Sequence, residues 1–284
     1  MLGGGGARGA AQVGVLLALF EAKVDPPVRV VGTSVGALNG ASICAYPSLA
    51  GAQMLEQVWL SDLALNVFRV HPLSLMLSRL RGELSVMPGT NIERLIDRVE
   101  AMTGRNSFEQ MRIPLRVVAT DVGSGQPFVF SSGLLAPALR ASTAIPGVFP
   151  AVDIGGRTYL DGGIVDNTPM SVAVNEGDRD VLAVSLMAGG ERDDPPATYP
   201  ELIARTLQLS LHHQMLSDYE RLKDRARIVV LCPVTSSRAI WEMRREHILE
   251  LIETSRRATS ELLEQRGSKL FRHSGVHYLN LAAG

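Results

Sequence analysis

The stretch VRVVGTSVGALNG, Val28 to Gly40, decides how the rest of the chain is read. Three β-branched valines among its first four residues favour an extended strand, and the small residues at its end are compatible with a helix. Between them stands Gly32-Thr33-Ser34-Val35-Gly36, a G-x-S-x-G. A sharp strand-to-helix turn brings the residues two before and two after the serine close to it. Glycines there relieve the crowding and leave the hydroxyl proud of a sheet. In this setting Ser34 is the candidate nucleophile, and the open question is which base activates it.

Outward from that turn, short strand-like runs alternate with longer helical patterns, the mark of a sheet with crossover helices. The strands are expected at Val28 to Val31, Leu115 to Ala119, Phe128 to Phe130, Val181 to Leu186 and Ile228 to Leu231. The helices are expected at Ala10 to Lys23, Val35 to Ala45, Thr90 to Met102, Gly133 to Ser142, Pro200 to Arg221 and Arg238 to Glu264. Gly189 to Pro200, rich in proline and charge, reads as an exposed loop. The strand pattern resumes after it, so one domain over residues 1–284 is the expectation. Leu60 to Leu84 departs from the alternation. Leu73, Met76, Leu77, Leu80 and Leu84 fall at helical spacing, as in a core-facing helix, a cap over an apolar pocket, or an interfacial helix that meets lipid.

Among 284 residues, 46% are hydrophobic and 20% charged, with a formal net charge of -1. That balance, with no long basic run, argues against nucleic acid as the main partner. The two cysteines, Cys44 and Cys232, sit in apolar runs and read as buried thiols of a reducing compartment. The apolar run Val13 to Phe20 has only Arg8 before it and no small-residue cleavage site after it. No run approaches the roughly 20 residues that a spanning helix needs. The expectation is a cytoplasmic protein that meets membranes only from the surface.

Two further segments carry chemistry. In GGGGARG, Gly3 to Gly9, consecutive glycines let backbone N–H groups converge at the start of a helix, which suits an oxyanion or a phosphate. Gly4, Gly6 and Gly9 also match the spacing of a dinucleotide fingerprint, but Arg29 stands near where that motif needs an acid. The second segment is Asp161-Gly162-Gly163, in which the glycines leave a carboxylate open to close approach. Asp166 and Asn167, just before Thr168-Pro169, read as turn and helix-cap residues.

Two kinds of base are available to Ser34. Of the histidines after Asp161, His212, His213 and His247 lie in long helical patterns, so His273 and His277, in the tail after the last helix, are the rivals. The other base is Asp161 itself, provided that burial beside Tyr159-Leu160 raises its pKa. For the oxyanion, the N–H groups of Gly5 and Gly6 come first, with Gly4 of the same loop and Val35 of the elbow. Arg8 either braces the glycine loop or meets a lipid phosphate.

Together, the glycine loop, the GTSVG elbow and the Asp161-Gly162-Gly163 box resemble the patatin-like phospholipase family, in the family's order and over about Leu2 to Pro169. Ala119-Thr120-Asp121 and Ala141 to Pro150 are supporting matches. The resemblance implies a three-layer α/β/α sandwich with a mostly parallel central sheet. It also implies a Ser34–Asp161 dyad that requires no histidine, with Arg8, Gly9, Gly32, Gly36, Gly162 and Gly163 as supporting motif residues. The implied reaction is hydrolysis of lipid carboxylic esters, of phospholipase A, lysophospholipase or esterase type, without metal or cofactor. Its partners would be a lipid or small ester and, peripherally, a membrane. The chain departs from the family at its start, where only Met1 and Leu2 precede the glycines in place of a hydrophobic strand. The competing readings are a Ser-His-Asp esterase or acyltransferase that uses a C-terminal histidine, a nucleotide-binding protein, and an inactive lipid-binding relative.

Overall fold

In a computed structural model, residues 1–68, 85, 87, 89–188, 196–235 and 240–281 are described. The chain runs through α1 (Gly9–Glu21), β1 (Val30–Thr33), α2 (Val35–Ala45), α3 (Leu49–Trp59), the single turn α4 (Asp62–Leu65), α5 (Thr90–Thr103), β2 (Leu115–Asp121) and β3 (Gln126–Phe130). It continues through α6 (Leu135–Ser142), β4 (Val152–Ile154), β5 (Arg157–Asp161), α7 (Met170–Asn175), β6 (Asp180–Val184), α8 (Tyr199–Leu222), β7 (Arg227–Val234), α9 (Arg245–Arg266) and β8 (Gly275–Asn280).

The five expected strands are all present, with ends shifted by a few residues, and three more join them. β4 and β5 have no apolar run to mark them, since Arg157 and Thr158 are exposed and the first is only three residues long. β8 occupies the stretch read as a tail, so His277 lies in a strand. Helix α3 is an addition to the expected helices; it buries Ala52, Leu55, Val58 and Trp59 at helical spacing, and Ser48 caps it by accepting the N–H of Gly51 at 3.2 Å. The last long helix begins at Arg245 and not at Arg238, and residues 236–239 lie outside the described ones. So do residues 189–195 of the expected loop and the Leu73 to Leu84 stripe.

The sheet has a parallel spine. β1 pairs with β2, and β6 with β7 and β7 with β8, all in parallel. Leu2 joins the two halves by bridging in parallel to Gly32 on one side and to Val184 on the other. Its N–H donates to Val31 O at 2.9 Å and its own carbonyl accepts from Thr33 N–H at 3.1 Å. Met1 and Leu2 thus seat the start of the glycine loop between β1 and β6. At the far edge β3, β4 and β5 add antiparallel pairings.

Both faces of the spine are covered, which is why its strands read as continuous apolar runs. Val30, Leu115, Val117, Val184 and Leu231 face a cluster completed by α2, α5 and α6, while α1, α3 and α9 pack together around Leu17, Leu55 and Ile252. Alternate residues Val31, Val118, Ala183, Ile228 and Val230 face Met170, Met215 and Leu222 of α7 and α8. The three layers follow from this period-two division. Helix α1 is buried on every side from Gly9 to Leu19, with Gln12 the one polar side chain in that stretch. No helix among the described residues is long and apolar enough to cross a membrane.

Candidate active site

The site forms where two strands share one edge of β2. β3 pairs with Val117 to Asp121 along one edge, so β1 and β5 must both lie along the other. β1 covers Leu115 to Val118, with Thr33 opposite Val118, and then leaves the sheet. β5 arrives antiparallel and takes over at the next residue, with Asp161 opposite Ala119. Ser34 and Asp161, 127 residues apart, therefore meet at one strand end, and Ser34 Oγ donates to Asp161 Oδ2 at 2.6 Å.

The elbow is strained and braced. Ser34 has φ 54° and ψ −127°, a left-handed conformation that costs a non-glycine residue on the order of 1–3 kcal/mol. Its N–H donates to Ser142 Oγ at 2.8 Å, and the Ser142 hydroxyl donates to Val118 O at 2.6 Å. Thr33 Oγ1 donates to Asp166 O at 3.0 Å. The glycines flanking Ser34 are required for space, because a Cβ on Gly32 would lie 2.5 Å from Gly36 O. Ser142 belongs to the supporting Ala141 to Pro150 match, but nothing in its sequence context marks it as a brace for Ser34.

Asp161 is buried and held at every polar atom. Oδ1 accepts the Gly163 N–H at 2.8 Å, its N–H donates to Ala144 O at 2.9 Å, and its carbonyl accepts from Thr120 Oγ1 at 2.8 Å. Burial pushes its carboxyl up to about 6, against the opposing hydrogen bonds from Ser34 and Gly163. Gly162 explains part of the box, since a Cβ there would lie 2.3 Å from Val118 O. Nearby, burial pushes the Asp166 carboxyl up to about 7, with Ser171 Oγ donating to it at 3.0 Å.

The glycine loop is pinned at its base. Gly3 N–H donates to Val184 O at 3.0 Å, and Gly3 O accepts from Gln12 Nε2 at 2.8 Å. Gln12 belongs to a buried network in which Asn39 Nδ2 donates to Gln12 Oε1 at 2.9 Å and Trp59 Nε1 donates to Asn39 Oδ1 at 2.9 Å. Gly4 differs from the expectation, because its N–H donates to Asn167 O at 3.0 Å and so does not face the serine as a donor. Its Cα packs against Ser34 instead, where a Cβ would come within 3.2 Å of the serine Cβ. The N–H groups of Gly5, Gly6 and Val35 have no acceptor among the described residues. Gly9 is packed tightly against Val35 and Trp59, and Arg8 is wholly buried, donating to Leu186 O at 3.2 Å. Arg8 is thus tied to the segment that follows β6.

An apolar cleft opens beside Ser34. Its lining includes Gly6, Val35, Leu38, Leu55, Trp59 and Phe149 together with the serine. Among the described residues no imidazole hydrogen-bonds to Ser34 or Asp161. His212 meets Tyr278 OH at 3.2 Å, His247 faces Glu242 and Glu250, and His273 and His277 lie with Arg266 and Arg272 in a separate basic hollow. β8 stands four places from β1 across Leu2, β6 and β7, so at about 4.8 Å per strand His277 is far from the serine.

The patatin-like phospholipase profile matches residues 1–174. An uncharacterised NTE family protein of Mycobacterium bovis is 34% identical over 212 residues, which are 73% of this chain and 54% of that protein. Patatin-like phospholipase domain-containing protein 7 of Rattus norvegicus is 30% identical over 70% of this chain and 14% of its own length. The chain therefore spans about half of the mycobacterial relative and a small part of the rat protein. Among solved structures, VipD from Legionella pneumophila superposes with a TM-score of 0.53 at 16% identity, covering 93% of this chain and 66% of its own.

Proposed function

Because this chain belongs to the patatin-like phospholipase family, we propose that it is a serine acyl hydrolase that cleaves carboxylic esters of lipids through a Ser34–Asp161 dyad. The observation that carries this reading is the 2.6 Å hydrogen bond from Ser34 Oγ to Asp161 Oδ2 at a strained elbow, beside an apolar cleft. Asp161 takes the Ser34 proton as Oγ attacks the ester carbonyl carbon. The carbonyl oxygen becomes the oxyanion and faces the N–H groups of Gly5, Gly6 and Val35. Collapse expels the alcohol, which leaves with the proton from Asp161, and the acyl group stays on Ser34. Water then gives its proton to Asp161 and attacks the acyl carbon. Release of the acid returns that proton to Ser34.

The apolar lining of the cleft suits the acyl side of the ester, and each CH₂ it removes from water supplies about 0.8 kcal/mol. The enzyme would work at the surface of a membrane or on dispersed esters, from the cytoplasmic side. The direct test is a fluorophosphonate probe, which should label the wild-type protein and fail to label Ser34→Ala. No labelling of the wild type would favour a binding protein that uses the glycine loop. Turnover across esters and phospholipids of graded chain length then ranks the substrates.

Two further outcomes follow from the geometry. Asp161 works as a base only when ionised, so kcat/KM should rise with pH through about 6 and then level off. A profile whose acid limb is absent in this range would exclude Asp161 as the titrating base. His273→Ala and His277→Ala should keep ester turnover within about twofold of wild type, whereas a loss of 10²-fold or more in either would restore the histidine reading.

A further inference from the structure

The Asp161 loop and the glycine loop come from opposite ends of the matched region, yet one residue fastens them together. Asn167 is 2% exposed, and it does not cap α7, whose N-cap position is Pro169 with no side-chain cap bond. The helix-cap reading of Asn167 is therefore corrected, while its place in a bend before Pro169 agrees with the turn reading. Its Nδ2 donates to Gly4 O at 3.3 Å while its own carbonyl accepts the Gly4 N–H at 3.0 Å, so Gly4 is gripped on both sides. The fit is close, because a Cβ on Gly4 would fall 2.6 Å from Asn167 Oδ1 and one on Gly163 would fall 2.8 Å from the same atom.

The consequence lies in the next peptide bond. Gly4 C=O and Gly5 N–H belong to one planar trans unit and point in opposite directions. Between two glycines such a plane rotates with little steric resistance. A donor held on Gly4 O therefore sets the direction of the Gly5 N–H. We infer that Asn167 is a positioning residue that aims the Gly5 N–H at the developing oxyanion, coupling the donor loop to the segment that carries Asp161. This rests on the reading of Ser34 and Asp161 as the hydrolytic dyad. Asn167 touches no reacting atom, and it acts only through the Gly4–Gly5 plane.

The test uses N167D, which keeps the volume and loses the donor, and N167A, which removes the side chain. Folding is checked by thermal melting. In either variant that folds, kcat should fall roughly 10- to 100-fold with KM within about twofold, short of or equal to the loss of one full donor. In N167A the acid limb near pH 6 should stay in place, because Asp161 keeps its partners, whereas in N167D the added carboxylate beside Asp161 should move it to higher pH. Independently of turnover, the Gly4 amide, bonded to Asn167 O, should exchange with solvent at least about tenfold faster, as expected for a loop released from its anchor, while those of β1 and α2 stay protected. Unchanged exchange at Gly4 in a folded variant would overturn the inference, as would unchanged kcat in an active enzyme. A wild type with no Ser34-dependent turnover would sink the hydrolase reading alone, and the exchange rates would still decide the role of Asn167.

Discussion

Ser34→Ala and Asp161→Asn are each expected to lower ester turnover by about 10⁴-fold, and Asp161→Asn is expected to melt at a higher temperature than the wild type at pH 7. The loss of activity follows from removing the nucleophile or its proton acceptor, groups that act as a unit. The gain in stability follows from the cost of burying a carboxylate. Burial raises Asp161 from 3.8 to about 6, so the folded chain holds its proton more tightly than the unfolded chain does. Stability from this group is fully present below the unfolded pKa and is lost as pH rises through the folded one. At pH 7 the full cost applies, on the order of 3 kcal/mol. Asparagine has no such cost, and it can still accept the Gly163 N–H as Asp161 does at 2.8 Å. The stabilising effect should therefore shrink as pH falls from about 6 towards 4. Melting curves at pH 7 and pH 4 check it, and a variant no more stable than the wild type at pH 7 would contradict the stored cost.

Gly36→Ala is expected to destabilise the fold severely, by about 3 kcal/mol or more, or to prevent soluble expression. A Cβ at position 36 would lie 2.1 Å from Leu2 O and 2.7 Å from Gly3 O. Leu2 O is the acceptor for Thr33 N–H, so the clash falls on the bridge that joins the two halves of the sheet. No side chain can rotate away, because the obstructing atoms are backbone. Gly40→Ala, in the same helix, is the control. Its Cβ would meet only side-chain atoms, Val30 Cγ1 at 3.2 Å and Leu115 Cδ1 at 3.3 Å. Both changes gain about 1 kcal/mol of helix propensity, so the difference between them isolates the clash. Chemical denaturation of the two variants measures it, and equal stabilities would show that Leu2 is not held where the structure has it.

Much of this arrangement is legible in the residues. Val28 to Gly40 specifies its own strand, turn and helix, because β-branched residues, paired glycines and small helix formers succeed one another within a dozen positions. The spine strands declare themselves as apolar runs because both of their faces are covered. Other features carry no local signal. β5 is short and half exposed, and only its pairing with β2 makes it a strand. Asn167 looks like any residue ahead of a Thr-Pro, and its partner Gly4 is 163 residues away. Gly4 itself shows the limit of reading donors from a glycine run, since its N–H is already taken by the Asn167 carbonyl.

The elbow at Ser34, the glycine loop before a helix, the open box at Asp161 and the alternation that makes an α/β sheet can all be read from the residues alone. These depend on neighbours within a few residues, where backbone preference and side-chain period act. Which carboxylate lies against the serine is a matter of the fold as a whole. Ser34 and Asp161 come together because β1 ends where β5 begins along one edge of β2, with Thr33 opposite Val118 and Asp161 opposite Ala119. That meeting depends on strand order and register, which are set by long-range pairing and by burial of both faces of the sheet.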